Sequence, residues 1–323
     1  MFPDNSAGAL MTPEFICILT GTRARDALQI VRDAGLDSDA IYTLFVTDIN
    51  RKLLGIMDIR RLLFAEGDEP VETLMQPHPQ SVRIDADQQE AARLVRRYDL
   101  ISLPVVDENG VLAGVIGVDS IVDVIVEENT EDFEKMNALL PSEDSYLNTS
   151  AWTLSRHRIP WLLVLMLSSV LAGKLIQGFE DVLAATGVAL VASMPMLMDT
   201  GGNCGSQTST VIIRALSLGE LKPGDVLKAL WKELRVAVVC GFLLGAINFA
   251  RLAIFGGASL PIAGAISAAM VLTVIFAKAL GCLLPLLAEK MHLDPAVMAG
   301  PLLTTIVDVG SLLILFELSQ IAI

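Results

Sequence analysis

Residues 294–321 read DPAVMAGPLLTTIVDVGSLLILFELSQI. From about Ala296 to Ile321 the stretch is long and apolar enough to cross a bilayer, which takes roughly 20 mainly apolar residues. Asp308 stands near its middle, with largely apolar turns on both sides. An ionised carboxylate facing lipid costs of order 2.5–3.5 kcal/mol on insertion scales, so such a residue faces a bundle interior, a water-filled path or a cation. Thr304, one turn earlier, lies on the same helix face and offers a hydroxyl. Lys278 is the one candidate for a basic partner inside the apolar half, so a Lys278–Asp308 ion pair is the structural alternative to a cation site at Asp308.

Four more apolar stretches precede this one, at Ile159–Phe179, Val182 to about Ile213, about Val236–Phe255 and about Pro261–Leu287. All contain the small residues that let membrane helices approach closely. Five in succession do not fit a soluble helical core, and the expected fold is a soluble α/β region followed by an all-α membrane domain. Arg156 and Arg158 precede the first span, Lys222, Lys228, Lys232 and Arg235 fill the link after the second, and Lys290 follows the fourth. The opposite links hold only Lys174 and Arg251 near their ends, with Glu180 and Asp181 at the first turn. The excess of basic residues on one side predicts a cytoplasmic soluble half, cytoplasmic loops at 214–235 and 288–295, and an external C-terminus. No cleavable signal peptide is expected, because residues 1–20 lack a basic start and a long apolar run. Cys17, Cys204, Cys240 and Cys282 form no CxxC pair and suggest neither a disulfide framework nor a zinc site.

The second span carries MPMLMDTGGNCGSQTST at 194–210. Pro195 is expected to break the helical ladder, and Gly201, Gly202 and Gly205 either let the backbone leave the helix or pack tightly. Non-helical backbone at membrane depth is tolerated where it is buried in protein or lines a water-filled cavity. A glycine-rich helix contact is the purely structural alternative. Asn203, Gln207, the hydroxyls and Asp199 are all oxygen donors, which favours Mg²⁺ or Ca²⁺ over zinc or copper. A single carboxylate at Asp308 suits a hydrated Mg²⁺, and in a symmetric dimer two copies would face one ion.

Residues 1–158 carry 27 acidic and 14 basic residues, a net charge of −13, and residues 159–323 carry 10 and 9. The mean hydropathy of +0.58 therefore averages two very different halves. Such acidity excludes a nucleic-acid binder, which gathers Lys and Arg, and instead raises the local concentration of cations. Residues 44–63, LFVTDINRKLLGIMDIRRLL, align with LPVVDENGVLAGVIGVDSIV at 103–122, matching Val46 with Val105, Asp48 with Asp107, Asn50 with Asn109 and Gly55 with Gly114. Each copy reads as strand, turn, strand and helix, preceded by a helical stretch at about Ala24–Ala34 or Gln88–Tyr98 and by an MxP triplet at Met11 or Met75. No nucleophile–base arrangement, Walker loop or dinucleotide fingerprint is present, so an enzyme is not expected. Residues 127–158 form an acidic connector with Phe133, Met136, Leu139 and Leu140 spaced along one face.

The segment from Pro195 to Gln207, the QGFED turn at 177–181 and DPAVMAGPLLTTIVD at 294–308 together resemble the MgtE-type bacterial magnesium channels and transporters, and the repeat resembles their tandem cystathionine-β-synthase (CBS) domains. The resemblance covers roughly residues 9–323. It implies CBS domains at 1–66 and 67–130, a plug helix within 131–158 and a membrane domain at 159–323. It also implies a homodimer in the bacterial inner membrane, with a pore on the two-fold axis. Asp308 would hold the permeating Mg²⁺, with Pro195, Gly202, Asn203 and Thr304 lining the path and Glu180 and Asp181 at the outer mouth. Cytosolic Mg²⁺ would bridge acidic residues such as Glu127, Glu128, Glu131 and Asp132 and hold the pore closed. The resemblance also implies ATP at the CBS pair, with Asp119 on its ribose, and departs from the pattern at Gly117, which stands where a hydroxyl residue is expected. Family members usually begin with an additional acidic superhelical domain, which is expected to be absent here. A transporter coupled to H⁺ or Na⁺ and a membrane sensor or scaffold are the alternatives.

Overall fold

The computed structural model describes residues 2–3, 5–34, 42–140, 147–256 and 258–323. The middle of the acidic connector, 141–146, therefore lies outside the described residues. Two compact units divide the chain, Met1–Thr130 and Glu131–Ile323.

In the first unit the elements run α1 (Ala7–Leu10), β1 (Ile16–Leu19), α2 (Ala24–Asp33), β2 (Thr43–Thr47), β3 (Leu53–Asp58), α3 (Ile59–Phe64), α4 (Val71–Leu74) and β4 (Gln76–Pro77). The second repeat follows with β5 (Val82–Arg83), α5 (Gln88–Tyr98), β6 (Ser102–Val106), β7 (Leu112–Gly117) and the start of α6 (Val118–Met136). Two sheets result, ordered β1-β2-β3-β4 and β5-β6-β7, each with one parallel pair and an antiparallel hairpin. Both hairpins turn in the same way. Asp48 accepts from the backbone N–H groups of Asn50 and Lys52, and Asp107 from those of Asn109 and Val111, each at 2.8 Å. The matched Asp-x-Asn is thus an Asx turn, in which a short carboxylate stands in for a backbone acceptor.

The repeats exchange their leading segments. Gln76 and Pro77 add an edge strand to β3 of the first copy, and Thr12 bridges Val115 of the second. The matched glycines explain the fit, because a methyl group at Gly55 would lie 2.5 Å from Met75 Sδ, and one at Gly114 would lie 2.7 Å from Met11 Sδ. A boundary near residue 66 therefore separates the copies along the chain, while each sheet is completed by the other copy's MxP triplet.

The second unit is helical: α7 (Ala151–Gly178), α8 (Glu180–Thr186), α9 (Val188–Ser217), α10 (Val226–Phe255), α11 (Leu260–Lys290) and α12 (Pro301–Ile321). Four of these, α7, α10, α11 and α12, are long and apolar enough to cross a membrane, and the bent pair α8–α9 makes a fifth. Here the structure corrects the expected interruption of span two. The chain bends by 115° at Gly187, whose φ of 68° favours glycine, and α9 then stays helical through Pro195 and the whole TGGNCGSQ run. The glycines serve packing. A methyl at Gly201 would meet Thr273 and Val307 at 2.8 Å, and one at Gly281 would collide with the Gly205 carbonyl oxygen. Small residues on α9 and α11 thus bring the two backbones together. Half of the apolar window of α11 is buried and none of that of α7, which makes α11 the centre of the bundle. Leu190, Leu197, Ile266, Leu312 and Phe316 fill its core.

Because the Gly205 carbonyl cannot rotate away, Gly281→Ala should overpack this contact and cost about 1–3 kcal/mol. A lowered thermal midpoint of the protein in detergent is the expected result, and an unchanged midpoint would contradict the close approach.

Candidate cation site

Asp308 lies half-buried on α12, whose first turn is set by Gly300 and Pro301. The hydroxyls of Thr304 and Thr305 both donate to the Pro301 carbonyl, at 3.0 and 2.9 Å, so this turn is held by its own side chains. A cavity of about 520 Å³ opens here. Asp308, Thr304, Thr305, Ser168, Ser169 and Asn137 supply its polar wall, with Met136, Leu165 and Met198 among the apolar residues. No basic residue lines it. The sequence offered Asp308 alone as the carboxylate of this site. The structure adds Asp199 of α9, whose charge acts on the Asp308 carboxyl. Two carboxylates in one field repel each other until a cation enters between them.

Gly202 packs against Thr304, within 3.3 Å of its methyl for an added Cβ. Asn203 and Pro195 are exposed on α9 and are not among the cavity's lining residues. Asp199, Asn203 and Gln207 are all exposed and follow one another at i, i+4 and i+8, which sets them on one face. A membrane helix thus presents a polar stripe that its own bundle leaves uncovered. The sequence carried that signal in its spacing, but the expected break at Pro195 hid it. Glu180 and Asp181 are exposed in the first turn of α8, where a helix N-terminus favours negative charge in any case. The turn before them is anchored by Phe179 stacked on Phe316, with centroids 4.7 Å apart.

Lys278 does not pair with Asp308. Its ammonium is buried between α9, α10 and α11, donating to Thr208 Oγ1 at 3.0 Å and lying 3.6 Å from Glu233 Oε2. Thr208 in turn donates to Glu233 at 3.0 Å. Sequence reasoning assigned Glu233 to a loop and so missed the partner. The charge that would have repelled a cation at Asp308 is neutralised elsewhere.

The acidic residues of α6 are distributed among several contacts. Glu128 accepts from the side-chain amides of Gln88, at 2.6 Å, and Gln89. Glu127 is exposed and Asp132 half-buried. Glu131 pairs with Lys135 at 2.5 Å, and Lys135 also reaches Asp294 at 2.6 Å. Burial works against the Lys135 charge, yet the hydrogen bonds to Asp294 and Glu131 outweigh it and hold the ammonium above its ordinary range. Among the described residues, no three His, Cys, Asp or Glu side chains group as a metal site. Asp119 begins α6, and a Cβ at Gly117 would crowd its carboxylate. Asp119 does not line the 680 Å³ cavity of the first unit, whose charged residues are Asp58, Arg60, Arg61 and Asp99.

A carboxylate-bearing cavity in an apolar helical bundle, in a chain that also carries a paired α/β repeat, suits a membrane protein that handles cations. The family model for MgtE, described as a divalent cation transporter, matches residues 194–318, and the CBS domain model matches 7–68 and 71–127. The magnesium transporter MgtE of Thermus thermophilus is 36% identical over 321 residues, covering 99% of this chain and 70% of that protein. The magnesium transporter MgtE of Bacillus subtilis is 34% identical over 322 residues, covering 98% and 70%. A crystal structure of the cytosolic domain of the Mg²⁺ channel MgtE in complex with ATP aligns with 38% of this chain and 50% of that one, at 39% identity and a TM-score of 0.37. The chain belongs to the MgtE magnesium-transporter family, as its motifs resembled, and is a membrane protein with a tandem CBS pair.

If Lys278 and Glu233 neutralise each other, removing one leaves an unpaired buried charge, at a cost of about 3–5 kcal/mol. Lys278→Met and Glu233→Gln should each lower the thermal midpoint in detergent, and K278M/E233L should recover most of the loss. Single variants as stable as the wild type would contradict the pairing.

Proposed function

We propose that the chain transports Mg²⁺ across the bacterial inner membrane as a channel, with Asp308 holding the passing ion. The observation that carries this is the Asp308 carboxylate on a polar cavity with no basic lining residue, within the field of Asp199. Oxygen-only donors and few carboxylates suit an ion that keeps several of its waters, as Mg²⁺ does. The names of the relatives from Thermus thermophilus and Bacillus subtilis point to the same ion.

The polar stripe of α9 supports a homodimer. Exposed Asp199, Asn203 and Gln207 need water or protein at membrane depth, and a second copy about a two-fold axis supplies both. Two chains then set four carboxylates around one path, with lipid against the apolar flanks. The basic residues flanking the spans support cytoplasmic CBS domains and an external C-terminus. In this reading, Mg²⁺ on the cytoplasmic side neutralises the acidic stretch around Glu127, Glu128 and Asp132, Glu131 being already met by Lys135, and favours the closed packing. The Arg60–Arg61 cavity is the place where a nucleotide's phosphates would find positive charge.

Mg²⁺ uptake into proteoliposomes tests the proposal. Wild type should take up Mg²⁺, and Asp308→Asn should lose about tenfold or more, the equivalent of 1.4 kcal/mol of lost ion stabilisation. Undiminished uptake would remove Asp308 from its role. Raising Mg²⁺ on the soluble-domain side should slow wild-type uptake, and indifference to it would sink the gating half. Single-channel steps under a Mg²⁺ gradient are expected, whereas strict coupling to H⁺ or Na⁺ would favour a carrier.

A further inference from the structure

The end of α6 is fastened to the loop before α12 by a cation that the chain itself supplies. Lys135 stands between Glu131, at 2.5 Å, and Asp294, at 2.6 Å, with about a quarter of its side chain exposed. Asp294 is held for this contact, because its other oxygen caps the 3₁₀ turn Pro295–Met298 by accepting from Ala296 N–H at 2.8 Å. One residue beyond Lys135, the Met136 carbonyl lies against Gly300, where an added Cβ would collide with that oxygen. Gly300 has a φ of 57° and immediately precedes Pro301, the first residue of α12. Met136 and Asn137 then form part of the wall of the cavity that holds Asp308. The same three residues, 135 to 137, thus carry an ion pair, a backbone contact and a wall of the cation cavity.

We propose that Lys135 is a resident cation that latches the end of α6 over the Asp308 cavity, so that this contact closes without a bound divalent ion. The proposal rests on the reading of that cavity as the ion path. Two carboxylates facing each other across an interface ordinarily need a counter-ion to approach. Here the ammonium meets that need, tethered to the helix that must move. Release therefore depends on breaking a charge-assisted pair, while divalent ions control whatever other acidic contacts α6 makes. Closure at this point persists at low Mg²⁺, and the sensor has to pull against it.

Mg²⁺ uptake at high soluble-side Mg²⁺ should rise about tenfold in Lys135→Met and in Asp294→Asn, a shift of about 1.4 kcal/mol in the open–closed balance. The exchanged pair K135D/D294K restores one opposite charge on each side and should return uptake to near the wild-type rate. Adding Asp308→Asn to Lys135→Met should abolish the extra flux. Uptake in Lys135→Met and Asp294→Asn equal to wild type would overturn the latch while leaving the pore reading intact. Extra flux that survives Asp308→Asn would mean a different path and would overturn both. If the exchanged pair stays as leaky as the single variants, the charges are not what holds the contact.

Discussion

An ionised carboxylate inside an apolar helix must be given a counter-charge, water or a cation, and the membrane half of this chain is arranged around that requirement. The cost of leaving Asp308 to lipid, of order 2.5–3.5 kcal/mol on insertion scales, is large beside a helix contact. Helix α12 therefore turns Asp308 toward a polar cavity and gives its apolar side to the core, where Leu312, Leu315 and Phe316 are fully buried. The approach of α9 then matters, because Gly201 and Gly205 let it settle against α11 and α12 with Asp199 near Asp308. With larger residues at these positions the two carboxylates would not share one field.

The same bundle handles two sets of membrane charges in opposite ways. Lys278 and Glu233 are closed on each other, with Thr208 bridging, and are buried among three helices. Asp308 and Asp199 have like charge, and Asp308 lines an open cavity. A charge that is satisfied internally stabilises a packing. A pair that is not satisfied attracts an ion, and this difference is the ground for proposing that Asp308 holds one. Lys135 is a third arrangement: an ammonium outside the spans that shares two carboxylates across a contact at the cavity's edge.

Much of this was legible in the sequence, because the signals were local. Apolar run lengths gave the spans, and the Asp48 and Asp107 turns gave the duplication. The isolation of Asp308 singled out the carboxylate that lines the bundle's cavity. What failed depended on contacts between distant residues. Pro195 and three glycines promise a broken helix when read alone, yet α11 supplies a partner surface that rewards keeping α9 straight, and the real bend falls at Gly187. Lys278 found Glu233 rather than Asp308 because α10 begins well before its apolar run, which carries an acidic residue into the bundle. The MxP triplets were visible, but not that each completes the sheet of the other copy, since a repeat shows what is duplicated and not what is exchanged.

The proposed pore requires Asp308 and Asp199 to act on one ion. A double-mutant cycle on Mg²⁺ uptake, with Asp308→Asn, Asp199→Asn and the double variant, measures this directly, because residues sharing a partner give non-additive effects. Each single variant should slow uptake, and the double should lose clearly less than the two losses combined. Fully additive losses, or wild-type uptake in either single variant, would contradict a shared ion.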